Sequence, residues 1–270
     1  MAEADVLDQA AGLRRLFGRR GVSLAVAHTS RRSGSPLQLA RTANALATHG
    51  HKVVVVDEHQ GEGSICAATG QVVKFDLFDA LVGSCTLADT MIHVAPQIWV
   101  VAAAKAARQF GRGEDNIQAR MSACLKELGY ETAFVLIDGV LRHGAVSQLA
   151  QAADHQAIVS RPTSKDVTQA YALIKALGKA SGRDQFHFIF DQAKDAASTR
   201  TLFRNLRTTA QEHLDLQLHH LATLIGEAVE DLADGLLTRL PKVSSAPVKM
   251  PTGSRSAHSF ATAALYESVL

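Results

Sequence analysis

Cysteine is scarce in this 270-residue chain, and the patterns that give cysteine a structural role are missing. Only Cys66, Cys85 and Cys124 occur, with no Cys-x-x-Cys pair and no metal-ligand spacing. That excludes a disulfide scaffold and a zinc ribbon, and it suits reduced, buried or half-buried thiols in a cytosolic protein. Aromatic residues make up only 5% of the chain. No apolar run approaches the roughly 20 residues that a membrane helix needs; the longest are Ile98–Ala104 and Thr132–Ile137. Met1–Asp8 is acidic and has no apolar stretch, so it does not read as a secretory signal. An excess of one charge is absent too. With 28 Lys and Arg against 26 Asp and Glu, the net charge is +2, and composition implies no wholesale binding to nucleic acid or acidic membrane.

What is present is a 47% hydrophobic content, enough for a real core, arranged as short β-branched runs alternating with longer helical stretches. Val22–Ala27 and Lys52–Val56 have strand length and flank Leu37–His49, whose Leu39, Ala43, Leu46 and Ala47 keep helical spacing. Gly50 suits the C-cap of that helix. Strand, helix, strand with a short connection is a βαβ unit and requires parallel strands. The alternation continues through strands at Trp99–Ala103, Ala133–Ile137, Gln156–Val159 and Phe186–Phe190. Helices fall at Asp115–Leu128, Ala145–Ala152, Lys165–Leu177 and Ala196–His213. Leu214, Leu216 and Leu218 alternate with polar residues as an edge strand does. Thr238–Arg255 reads as a loop before a last short helix, Ala257–Tyr266. The expected architecture is α/β, a doubly wound, mostly parallel sheet covered by helices on both faces, as one domain over 21–270.

Residues 1–20 stand apart. Val6, Leu7, Ala10, Leu13 and Phe17 form an apolar stripe at helical spacing, with Asp5 and Asp8 at the start and Arg14, Arg15, Arg19 and Arg20 at the end, as the helix dipole favours. Such a helix packs on its own domain, docks on a partner, or lies on a membrane surface.

In a doubly wound sheet, ligands bind where the strands end, the first strand above all. A phosphate loop there needs glycines, a lysine for the phosphates and a hydroxyl for magnesium. Here the segment runs His28-Thr29-Ser30-Arg31-Arg32-Ser33-Gly34-Ser35-Pro36, with no lysine and one glycine. Ser35-Pro36 makes a good helix start, but the proline removes a backbone donor. Arg31 and Arg32 suit either an anion or plain solvent.

From Asp5 to Tyr266 the chain resembles the MinD/ParA group of deviant Walker ATPases, above all the flagellar-number regulators of the FlhG type (FleN, YlxH). Asp8-Gln9-Ala10-Ala11-Gly12-Leu13-Arg14-Arg15-Leu16 resembles that type's N-terminal DQAxxLR element. Ala43-x-x-Leu46-Ala47-x-x-Gly50-His51-Lys52-Val53, with Val56-Asp57, is similar to its first helix and second strand. Thr163 to Lys175 is similar to its TSxxDAYALIK stretch, with one residue inserted before Ala170-Tyr171. The departures fall on the nucleotide machinery. Aligned on Gly50, the loop SGKGGVGKT falls on His28–Pro36. Its signature lysine falls on Ser30, its Walker lysine on Ser35 and its magnesium-binding threonine on Pro36. In the first switch, Asp57 is kept and the water-positioning aspartate becomes His59. In the second switch, Asp138 survives without the glycine, and the adenine-reading asparagine falls on Asp191.

The resemblance therefore implies a pseudo-ATPase: no catalytic residues, no metal, no cofactor and no ATP-driven dimer. The degenerate pocket would comprise Ser30, Gly34, Ser35, Asp57, His59, Asp138 and Asp191. It also implies a partner, the signal-recognition-type GTPase FlhF, along with other flagellar assembly proteins. The partner would be met by Asp8, Gln9, Ala10, Leu13, Arg14 and Phe17 of the arm. Further expectations are a cytoplasmic location with recruitment to a cell pole by the partner, no specific nucleic acid, and at most indirect membrane contact. The alternative is a nucleotide-binding MinD/ParA-type ATPase, using ATP and magnesium for membrane- or DNA-linked positioning. Asp57 and Asp138 end their strands, where carboxylates either cap loops and helices or hold metal. His59, His143 and Asp138 form either a metal or acid/base cluster or ordinary loop contacts. His219 and His220 are adjacent and point opposite ways, which argues against a two-histidine site.

Overall fold

The computed structural model describes residues 20–29, 37–110, 117–142 and 144–240. The arm calls at Asp8, Gln9, Ala10, Leu13, Arg14 and Phe17, the loop calls at Ser30, Gly34 and Ser35, His143, and the expected helix Ala257–Tyr266 lie outside the described residues.

The elements follow in the order β1 (Val22–His28), α1 (Leu37–Thr48), β2 (Val53–Asp57), α2 (Ile65–Ala68), α3 (Leu77–Leu81), β3 (Met91–Ala95), β4 (Ile98–Ala102), α4 (Ala104–Gln109) and α5 (Ile117–Glu131). They continue with β5 (Phe134–Gly139), α6 (Gln148–Ala152), β6 (His155–Ser160), α7 (Ser164–Ser181), β7 (Gln185–Phe190), α8 (Ala196–Leu214), β8 (Gln217–Thr223) and α9 (Glu230–Thr238). The strands form one eight-stranded sheet in the order β3-β4-β2-β5-β1-β6-β7-β8. Every pairing is parallel except β3 with β4.

The apolar runs become the central strands because alternate residues are buried on opposite faces. Val54, Val56, Val135, Ile137, Phe186, Phe188 and Phe190 enter one core with the inner sides of α5, α6, α7 and α8. Val53, Val55, Leu136, Ala157 and Val159 enter the other, beneath α1, α2 and α9. A strand covered on both faces gains burial from every residue, which is why these segments read as continuous rather than alternating.

Local chemistry sets the ends. Gly50, at φ +80°, closes α1 by donating its N–H to the Ala47 carbonyl at 2.9 Å. In α7, Thr163 is the N-cap: its Oγ1 accepts from Asp166 N at 3.2 Å and donates to Asp166 Oδ2 at 2.7 Å. Arg161 Nε donates to the same carboxylate oxygen at 3.0 Å. The Thr163-Ser164-Lys165-Asp166 stretch is thus a helix start clamped by an arginine.

Four segments differ from the sequence reading. β3 is an added antiparallel strand, joined to β4 through Pro96-Gln97 with Gln97 at φ +65°. None of its residues is fully buried, so it leaves no apolar run to read. The edge strand is β8, but it begins at Gln217; Leu214 ends α8, and Asp215 turns the chain in the left-handed region at φ 55°. The helix expected over Ala145–Ala152 begins at Gln148, capped by Ser147. The sequence reading assigned no element to residues 219–237, where α9 packs Leu232, Ala233 and Leu236 into the second core.

α9 approaches β8 so closely that a Cβ on Gly235 would stand 2.3 Å from the Leu221 carbonyl oxygen. Glycine-to-alanine changes inside a helix ordinarily stabilise by about 1 kcal/mol. Here the sign is expected to reverse, and Gly235→Ala should destabilise by about 1–3 kcal/mol through overpacking, measured as a lower denaturant midpoint at unchanged slope.

Candidate functional site

Register brings the polar residues together. β2 and β5 pair with Asp57 opposite Asp138, and β1 pairs with β5 so that Val26 lies opposite Asp138. His28 ends β1, and Asp57 and Asp138 stand at the carboxyl ends of β2 and β5, followed by Glu58 and His59. Asp57, Glu58 and Asp138 are all buried.

Each carboxylate has its own environment. Asp57 Oδ1 accepts from His59 N at 3.0 Å. Its Oδ2 accepts from Ser64 Oγ at 2.8 Å, Ile65 N at 2.7 Å and Cys66 N at 3.4 Å. Both oxygens thereby anchor the loop after β2 and the start of α2, whose N-cap is Ser64. Burial pushes the Asp57 carboxyl above its ordinary value, opposed by the Ser64 and His59 donors. Glu58 Oε2 accepts from Val140 N at 3.0 Å and Oε1 from Ser147 Oγ, and burial raises its carboxyl to about 7. Asp138 Oδ1 lies 3.4 Å from His28 Nε2 and 3.4 Å from His59 Nε2. Burial alone would raise Asp138, but the two imidazoles bring it down to about 2. The same carboxylate raises His59 against the opposing effect of its burial.

Among the described residues, the ion pairs of lysine and arginine all lie elsewhere, so no such pair compensates these three carboxyls. No group of three or more His, Cys, Asp or Glu among the described residues is placed to hold a metal ion. Asp57 spends both oxygens on the chain's own donors, and Asp138 faces two imidazoles.

Asp191 follows β7, away from this cluster. It accepts from Gln38 Nε2 at 2.9 Å and borders a cavity of about 150 Å³ with Arg41, Gln192, Gly226 and Glu227. The structure thus brings Asp57, His59 and Asp138 together and sets Asp191 apart. Sequence reasoning missed His28, Glu58 and Ser147. His28 ends a strand at the same edge, and Glu58 adjoins Asp57, but neither matches a motif.

His219 and His220 do point opposite ways. His219 lies 5.7 Å from the His187 ring, which lies 5.1 Å from that of His155. His220 bonds Thr223 Oγ1 on the other side of the strand. Burial and its neighbours push His187 down to about 3, so it stays uncharged at neutral pH.

At the opposite, amino edge, Arg20 donates from Nη2 to both oxygens of Asp154, at 2.7 and 2.9 Å. Gly21 N donates to the Gly129 carbonyl at 2.8 Å. Arg20 is therefore spent on the domain and is not part of a free basic cluster. No helix among the described residues is long and apolar enough to cross a membrane.

No family model matches the chain. It is similar to the antiactivator FleN of Pseudomonas aeruginosa, 24% identical over 183 residues, which is 67% of this chain and 65% of that protein. Among solved structures, a plasmid partition protein from Borrelia burgdorferi matches with a TM-score of 0.60 at 16% identity, over 82% of this chain and 100% of that one. MinD from Aquifex aeolicus matches with a TM-score of 0.57 at 16% identity, over 82% and 92%.

Replacing Asp57 by Ala strands at least the His59 and Ile65 N–H donors. At about 1–3 kcal/mol for each buried donor left unpaired, Asp57→Ala should cost roughly 2–6 kcal/mol. Urea unfolding should report the same loss with and without ATP and magnesium.

Proposed function

Within the MinD/ParA Walker ATPase fold to which the chain belongs, we propose that it acts as a pseudo-ATPase regulating flagellar number or placement. The observation that carries this reading is the inward-turned carboxyl edge: Asp57 is held by its own loop and Asp138 lies between two histidines. Without the lysines, charge developing on a transferring phosphoryl group has no partner. Loss of one such preorganised donor costs about 3–4 kcal/mol, or two to three powers of ten in rate.

Output then passes through residues 1–20. The FlhG-type resemblance of Asp8 to Leu16 supports an N-terminal element that stimulates GTP hydrolysis by FlhF. On this reading Gln9 orients the attacking water in the partner's site, Arg14 adds charge, and Leu13 and Phe17 seat the helix in an apolar groove. The chain enters the domain at the amino edge, at Arg20 and Asp154, the opposite end of β1 from the carboxyl cluster. Partner contact and the altered pocket then need not compete for space. A peptide of residues 1–20 added to the GTPase should raise its turnover, and Gln9→Ala should abolish the gain. Unchanged turnover, or an equally active Gln9→Ala peptide, would sink this assignment.

The cavity beside Asp191 supports the second reading, a chain that still binds nucleotide. Titration with a fluorescent ATP analogue separates the two. The pseudo-ATPase reading expects no saturation below millimolar concentration and no magnesium-dependent hydrolysis above background. Hydrolysis abolished by Asp57→Ala would favour the alternative.

A further inference from the structure

We propose that the outer edge of β3 is a self-association surface: a second copy of this chain lays its own β3 antiparallel against it across a two-fold axis and joins the two sheets into one. The pairing needs neither nucleotide nor the GTPase, so it goes beyond the function proposed above and can fail without touching it.

The two ends of the sheet are finished differently. β8 is closed off by α9 and the residue after it. Arg239 Nη1 donates to the Leu221 carbonyl at 2.6 Å, Thr223 N donates to Asp231 Oδ2 at 2.6 Å, and Gly235 lies against Leu221. β3 carries no such cover. It bonds β4 on one side only, and among the described residues no group outside that hairpin bonds the backbone of residues 92–95. An antiparallel strand points its N–H and C=O groups alternately to either side. Those of β3 that face away from β4 are therefore a template for one more strand.

Nothing in the strand discourages such pairing. Met91-Ile92-His93-Val94-Ala95 contains no Lys, Arg, Asp, Glu or Pro, the residues that ordinarily keep sheet edges apart. The register shift between His93 and Ala95 bends only its far end. Ile92, Val94 and Ala95 are half-buried against one core, and Met91 with Trp99 of β4 against the other. A paired strand would extend both apolar layers.

Symmetry and charge select a second copy as the occupant. With β8 capped, a head-to-tail addition of β3 to β8, which would build a fibre, is blocked; β3 on β3 uses the same edge twice and closes at two chains. The antiparallel direction sets the amino end of one β3, preceded by the exposed Asp89, beside the carboxyl end of the other. At that end Val53 N donates to the Gln97 carbonyl at 2.9 Å, and Lys52 Nζ stands 5.9 Å over the Trp99 ring. Opposite charges are thereby brought to both rims of the pairing. The exposed His93 ring lies 5.3 Å from that of Trp99, and the two copies of His93 meet near the axis.

Sedimentation of the full chain without nucleotide tests this. Across about 1–100 μM the 28.8 kDa chain should shift to twice that mass. Over the same range the amides of residues 91–95 should exchange about tenfold more slowly, while those of β8 stay within about twofold. His93→Lys puts two like charges near the axis and should weaken the dimer by about fivefold or more. Gln217→Lys, on the exposed start of β8, should leave it unchanged. A monomer across the whole range overturns the proposal. So does a dimer in which β3 exchanges as fast as in dilute protein, or one that His93→Lys leaves as tight as before. Should His93→Lys fail to fold, the exchange measurement on the unaltered chain decides alone.

Discussion

The register between β2 and β5 is the constraint on which the carboxyl edge depends. Once Val53 pairs with Phe134, Asp57 must stand opposite Asp138, and β1 on the other side of β5 delivers His28 to the same place. A one-residue slip would turn every valine of β2 toward the wrong core, so the apolar packing of both faces locks the position of the polar residues. The fold thereby imposes a problem of buried charge. The chain meets it with its own N–H donors at Asp57, a hydroxyl and an amide at Glu58, and two imidazoles at Asp138.

That solution is local, and it separates the two ends of the sheet. At the carboxyl edge, polar groups are turned inward and face one another. At the amino edge, Arg20 and Gly21 bind the root of residues 1–19 to Asp154 and the end of α5. β1 joins the two ends through the centre of the sheet, with Val22, Leu24 and Val26 in one core and Ala25 and Ala27 in the other. A likeness to FleN in sequence and to MinD in fold is compatible with this division. The scaffold is held by packing on both faces of the sheet, independently of the loops at its edges.

The distance between sequence reading and structure varies with how much of each element is buried. β1, β2, β5, β6 and β7 were legible because double-sided burial writes unbroken apolar runs. β3 was not, since a half-exposed hairpin strand at the sheet edge needs no such run. α9 carried an amphipathic pattern at Leu232, Ala233 and Leu236, yet its place is set by Gly235 lying against Leu221, a contact invisible along the chain. Asp57, His59 and Asp138 could be named from spacing and resemblance. His28, Glu58 and Ser147 could not, because each acquires its role only from a neighbour more than 80 residues away.

The sequence by itself determined the α/β class and the parallel sheet, and it carries the resemblance to the MinD/ParA group and the serines at positions 30 and 35, because these are recorded in periodicity and in residue identity. Tertiary structure alone decided that Asp138 sits between two histidines, that Glu58 is buried against Ser147 and that Arg20 is spent on Asp154. Charge neutralisation is a property of distance in space, and distance in space is set by strand register rather than by position in the chain.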